Sequence, residues 1–140
     1  MTLPMNRVTF ITLCVSDLAR ARAYYEALGW ELEQAMDKVA FYAMRGQVFG
    51  LFTLEGLAEE TGLPVEELKT GATTLAQNQP SQAEVDAAFA HAVACGATPV
   101  RAPFKTDWGG YSSYVADPDG HLWEFAFNPF DPLDEEGRIA

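Results

Sequence analysis

An α+β fold made of two tandem βαβββ modules is what this sequence predicts. Three observations carry the prediction: short apolar runs rich in β-branched and aromatic residues, two amphipathic helices each opened by a cap and closed by glycine, and the same order of elements in both halves. In the first half, Val8 to Val15 reads as a strand and Ser16-Asp17 supplies a helix N-cap. Leu18, Ala21, Tyr25 and Leu28 follow at helical spacing, and Gly29 stops the helix. Three strand-like runs come next, Trp30 to Met36, Val39 to Met44 and Val48 to Leu54, with Arg45-Gly46-Gln47 as the turn between the last two.

The second half repeats the order. Thr73 to Gln79 reads as a strand, and Ser81-Gln82-Ala83-Glu84 has the form of a capping box. Val85, Ala88, Phe89, Ala92 and Val93 make an apolar stripe that Gly96 closes. Thr98 to Arg101, Tyr111 to Ala116 and Leu122 to Phe127 read as strands, the last two joined by the turn Asp117-Pro118-Asp119-Gly120. Overlaying the halves matches Ser16-Asp17 with the Ser81 region, Ala27-Leu28-Gly29 with Ala94-Cys95-Gly96, and Gly46 with Gly120. We divide one domain, 1–140, into module one (7–54), a polar linker with one or two short helical turns (55–71), module two (72–130) and an acidic tail (131–140). Neither module alone covers both faces of its helix and sheet, so a shared core is expected.

Composition bounds the function. Of 140 residues 49% are apolar and 21% charged, an ordinary globular mix that excludes a disordered chain, a coiled coil and a collagen-like fibre. No apolar run approaches the ~18 residues of a membrane span. Met-Thr-Leu-Pro-Met-Asn-Arg is too short and polar for a signal peptide, so a cytoplasmic location is expected. Twenty acids against nine bases give a net charge of −11, which repels phosphate backbones and disfavours nucleic acid as a partner. The acids of Glu55 to Glu67 and Asp131 to Glu136 read as solvated faces. Cys14 and Cys95 lie inside apolar patterns, as buried thiols do.

Three stretches resemble the vicinal oxygen chelate superfamily, which holds glyoxalase I, the extradiol dioxygenases and the bleomycin-resistance proteins. They are Ile11 to Leu18 with Ala23 to Trp30, Glu84-Val85-Asp86 through Gly96-Ala97, and Trp108 to Ser112 with Asp117 to Glu124. The resemblance implies an open, cup-like mixed sheet with the helices outside, a ligand cavity within, and often a two-fold dimer. In enzymatic members a divalent metal is bound by His or Glu on the first and last strands of each module. Those positions fall here on Phe10, Gly50, Thr74 and Glu124, so one carboxylate stands where four donors are wanted. His91 is expected to face solvent, and His121 to lie on the opposite strand face from Glu124.

The substitutes suit a flat or apolar ligand better than a chelated ion. Alternation turns Leu122, Glu124 and Ala126 toward the cup, where the carboxylate needs a hydrogen-bonding partner or acts as ligand anchor or general base. Trp108 and Tyr111 are candidates for stacking at the cavity rim, and Phe52 for facing the cup; Arg101 and Lys105 are the nearby cations. The expected function is therefore metal-free binding of a small aromatic or apolar molecule by Phe10, Gly50, Phe52, Thr74, Trp108, Tyr111 and Glu124, with no cofactor. The alternatives are a lyase, isomerase or dioxygenase using Ni, Zn, Mn or Fe, and a metal-free enzyme with Glu124 as base and Tyr111 as acid or anchor. A homodimer through Leu54 to Thr70 and Pro129 to Leu133 is expected.

Overall fold

Local chemistry builds the first helix much as its sequence reads. In the computed structural model, which describes residues 7–139, Asp17 caps α1 (Leu18–Leu28) by accepting a hydrogen bond from the Arg20 amide at 3.0 Å. Gly29 ends it at φ 110°, where a side chain would be strained. The expectation about a leader rests on residues 1–6, outside the described residues. Around α1 stand β1 (Phe10–Val15), β2 (Leu32–Ala35), β3 (Val39–Met44) and β4 (Gln47–Thr53), in the sheet order β1-β4-β3-β2. The β1–β4 pair is parallel and the others antiparallel.

One face of this sheet carries Ala40, Tyr42, Phe49 and Leu51, each at most 1% exposed, and α1 buries Ala21, Tyr24 and Tyr25. The Tyr25 and Trp30 rings lie 5.4 and 4.8 Å from that of Phe49, so the helix meets the sheet through aromatic packing. At its margin, Glu26 Oε2 accepts hydrogen bonds from Arg22 Nε at 3.0 Å and Tyr42 Oη at 2.9 Å. The Arg22 hydrogen bond holds the Glu26 carboxyl below its ordinary range, with Tyr42 adding to it. Burial, and then the bond to Glu26, push the Tyr42 hydroxyl well up.

The chain divides into two compact units between Lys69 and Thr70. In the second, Ser81 Oγ accepts from the Glu84 amide at 3.3 Å and opens α3 (Gln82–Ala94). β5 (Thr74–Asn78), β6 (Thr98–Lys105), β7 (Tyr111–Ala116) and β8 (Leu122–Phe127) form a sheet in the order β5-β8-β7-β6, again with the outer pair β5–β8 parallel. Helix α3 packs on β6, β7 and β8, and Val85, Ala92 and Val115 are fully buried. Asp117 Oδ1 accepts from the amides of Asp119 and His121 at 2.9 and 2.8 Å, which fixes the turn into β8. Two four-stranded mixed sheets and three helices thus realise the tandem βαβββ order, and the fold is α+β.

Two elements add detail to the expectation. The short helical turns expected after β4 are α2 (Leu54–Thr61) and a 3-10 turn at Val65–Glu67. Thr53 caps it by accepting from the Gly56 amide at 3.0 Å, and Gly56, which reads as a breaker, is buried against the Phe52 ring. Strand β6 runs four residues beyond Arg101, with pairing shifts at Pro99/Arg101 and Arg101/Phe104. Pro99 and Pro103 lack amide hydrogens, and β6 tolerates them because it is an edge strand. Among the described residues no helix is long and apolar enough to cross a membrane.

Candidate functional site

The duplication is written into strand register. Gly50 is paired to Thr12 on β1 and Phe41 on β3, while Glu124 is paired to Ala76 on β5 and Tyr114 on β7. Phe10 and Thr74 are likewise equivalent, opposite Val48 and Leu122. The four positions that the resemblance singles out therefore correspond between modules.

Faces follow from hydrogen bonding and alternation. Tyr111 Oη donates to Asp86 Oδ1 on α3 at 2.7 Å, so Tyr111, Ser113 and Val115 lie on the helix-packed face of the second sheet. This bond raises the Tyr111 hydroxyl above its ordinary range. Ser112, Tyr114 and Glu124 lie on the far face. There Glu124 Oε2 accepts from the Ser112 hydroxyl at 2.7 Å, an ordinary O–H···O distance. Glu124 is half-buried, Ser112 is buried, and the exposed Thr74 is on the same face near the start of β5.

The next strand supplies the aromatic part. Arg101 is paired to Tyr114, and its guanidinium carbon stands 3.4 Å from the centre of the Phe104 ring, a cation–π distance. The Phe104 and Tyr114 rings stack with centres 6.5 Å apart and planes 22° apart. The loop from β6 to β7 is closed by Thr106, whose Oγ accepts from the Gly110 amide at 2.8 Å and whose amide donates to the Gly110 carbonyl at 2.9 Å. Trp108 lies flat over Gly110, where a Cβ would collide with its ring, and is 51% exposed. These groups, with Lys105 and Asp107, line a cleft of about 450 Å³.

The first sheet offers a different surface. Phe10 is 53% exposed and meets the Phe41 ring edge-on at 6.1 Å. Room beside Gly50 is taken up by Phe41 and Thr12, 3.4 and 3.5 Å from where its Cβ would stand. A second cleft, of about 300 Å³, is lined by Met36, Lys38, Val39, Phe52, Gly56 and Glu59 among others, and Lys38 Nζ reaches Glu59 Oε2 at 3.1 Å across it.

Several candidates thus come together and others do not. Phe10 and Gly50 share one sheet face, Thr74 and Glu124 share another, and Trp108 overhangs the larger cleft. Tyr111 is bonded to Asp86 on α3, on the face opposite Glu124. Phe52 packs against Gly56 of α2, one of the short helical turns expected after β4. Arg101 sits on Phe104 rather than on Glu124. Phe104 and Tyr114, which line the larger of these two clefts, and Phe41, beside Phe10 and Gly50, are not singled out by sequence reasoning. Val115 held the signal, since a buried valine puts Tyr114 on the far face and Tyr111 on the core face.

A divalent centre needs three or more ordinary donors. Among the described residues no group of three His, Cys, Asp or Glu gathers in a way that could hold one. Phe10, Gly50, Thr74 and Glu124 do not fit such an ion.

Residues 7–125 match the model of the Glyoxalase/Bleomycin resistance protein/Dioxygenase superfamily. The chain belongs to that superfamily. Within it, the protein is similar to a glyoxalase-related enzyme from Fulvimarina pelagi, 34% identical over 97% of this chain and 98% of that one, with a TM-score of 0.90. It is also similar to a glyoxalase/bleomycin resistance protein/dioxygenase from Nocardioides, 25% identical over 90% of this chain and 85% of the other, with a TM-score of 0.75. Lactoylglutathione lyase from Agrobacterium tumefaciens, at 22% identity over 91% and 97% of the two chains and a TM-score of 0.71, shares the superfamily fold. No match is found among curated proteins.

Proposed function

We propose that this superfamily member binds a small, flat, aromatic molecule in the cleft beneath Trp108, without a divalent ion. The observation that supports the reading is the convergence of three rings, Phe104, Trp108 and Tyr114, on one cleft of about 450 Å³, a size suited to a small organic molecule. Exposed aromatic surface in a recess gains from covering by another ring, both by burial and by stacking. Likeness to a glyoxalase-related enzyme supports a small molecule over a macromolecule.

The test is titration of the full chain with two-ring aromatic compounds, followed by tryptophan fluorescence and thermal shift. Binding should perturb the fluorescence and, at 100 times the dissociation constant, stabilise the fold by about 2.7 kcal/mol. Trp108→Ala should weaken it at least tenfold; an unchanged affinity would move the ligand elsewhere. For the metal, protein incubated with nickel, zinc, manganese and iron(II) and then desalted should retain well under one equivalent by mass spectrometry. Retention of about one equivalent would overturn the metal-free part.

Register favours one further role. Glu124 is paired to Tyr114 on the face that carries the cleft's rings, beside the cleft's own lining, and is the carboxylate to which we assign a proton-transfer role. Glu124→Gln would abolish turnover of any substrate found while leaving binding within a few-fold.

A further inference from the structure

Resting on that reading of the cleft, we propose that its ligand is an aromatic anion, a carboxylate or similar group on a flat ring system, with the negative end held by Arg101. The chain has twenty acids and nine bases, yet this cleft is lined by two cations and one carboxylate, Asp107. Three cations elsewhere in the protein are matched: Arg22 with Glu26, Lys38 with Glu59, Arg138 with Asp134. Among the described residues no carboxylate forms an ion pair with Arg101 or Lys105, although acids outnumber bases two to one. A locally positive recess on a strongly negative molecule is a feature that an anionic ligand accounts for.

The posture of Arg101 adds geometry. With its centre 3.4 Å above the Phe104 ring, the guanidinium is held by the ring's electron-rich face. Stacking engages the flat side of the group and leaves its N–H bonds, which point outward in the plane, for a planar acceptor such as a carboxylate. Lys105 lines the cleft at the end of the same strand, its register opposite Tyr111 setting it on the other sheet face, and Trp108 and Tyr114 supply surface for the ring.

Two isosteric probes, 2-naphthoate and 2-naphthamide, separate the ideas when titrated into the full chain by calorimetry. Naphthoate should bind about tenfold more tightly, as charge-assisted hydrogen bonds exceed neutral ones. Arg101→Gln should erase most of that preference and leave naphthamide affinity within a few-fold; Lys105→Gln should erase a smaller part. Arg101→Lys, which keeps the charge and loses the planar fork, should fall between. Equal affinities for the two probes would overturn the anion inference and leave the aromatic cleft standing. No binding of either would overturn both. A preference that survives Arg101→Gln and Lys105→Gln combined, in protein whose circular dichroism is unchanged, would place the anion elsewhere and also overturn the inference.

Discussion

Ser112 and Glu124 set the local chemistry of the second sheet. Removing the hydroxyl by Ser112→Ala takes the 2.7 Å donor from a half-buried carboxylate and should cost about 1–3 kcal/mol in urea unfolding. Ser112→Ala and Glu124→Ala should cost less together than the sum of each, because they break one contact. In the first unit, Glu26 carries a pH signature. Its carboxyl is held low by the Arg22 hydrogen bond, so its contribution is full above the ordinary carboxylate pKa of ~4.3 and is lost as pH falls through the lowered value. Glu26→Gln should therefore be less stable than the parent at pH 7 and converge with it in acid, as measured by denaturant titration at each pH. The raised Tyr42 hydroxyl acts in the opposite limb, its stabilising share draining away as pH climbs past ~10. At this scale the sequence is only partly readable. Alternation turns Glu124 away from Trp123 and Phe125 and says that it needs a hydrogen-bonding partner, but it does not name that partner. Partnership depends on the register between strands, and the Ser112–Glu124 bond is a diagonal across β7 and β8 that no single strand's pattern encodes.

Among the elements, α2 forms despite a glycine. Its residues, Leu-Glu-Gly-Leu-Ala-Glu-Glu-Thr, read as a polar linker with short helical turns, and Gly56 has low helix propensity. Packing explains the glycine: a Cβ there would drive into the Phe52 ring and the Thr53 hydroxyl. Gly56→Val should cost about 1–3 kcal/mol by overpacking, whereas Glu60→Ala, exposed on the same helix, should stay within about 0.5 kcal/mol by the same urea measurement. The loop before β7 behaves alike. Gly110→Ala should dislodge Trp108, shifting its fluorescence, and weaken aromatic binding without unfolding the sheet. Helices α1 and α3 are legible because cap, stripe and closing glycine all agree. The extension of β6 is not, because a proline stops a reader wherever the strand's edge position is unknown.

At the scale of the whole chain, the repeated order of elements is visible in the sequence itself, since each module states its own periodicity and turns. What periodicity leaves open is which strands become neighbours. In both units the first strand pairs in parallel with the last, Phe10 opposite Val48 and Thr74 opposite Leu122, and the last strand occupies an inner place in the sheet. This arrangement bears on folding kinetics. A sheet whose inner strand arrives last closes over most of the module's length, so loop-closure entropy comes due before the long-range pairing offsets it. Refolding after dilution from urea should accordingly fall in the ms–s range of mixed and all-β topologies, not the μs range of helical bundles. A chain cut after Met44, which lacks β4, should show no cooperative unfolding. On the ribosome, the first unit has to wait for Thr53 to emerge before β1 and β3 have anything between them, and the second waits in the same way for Phe127.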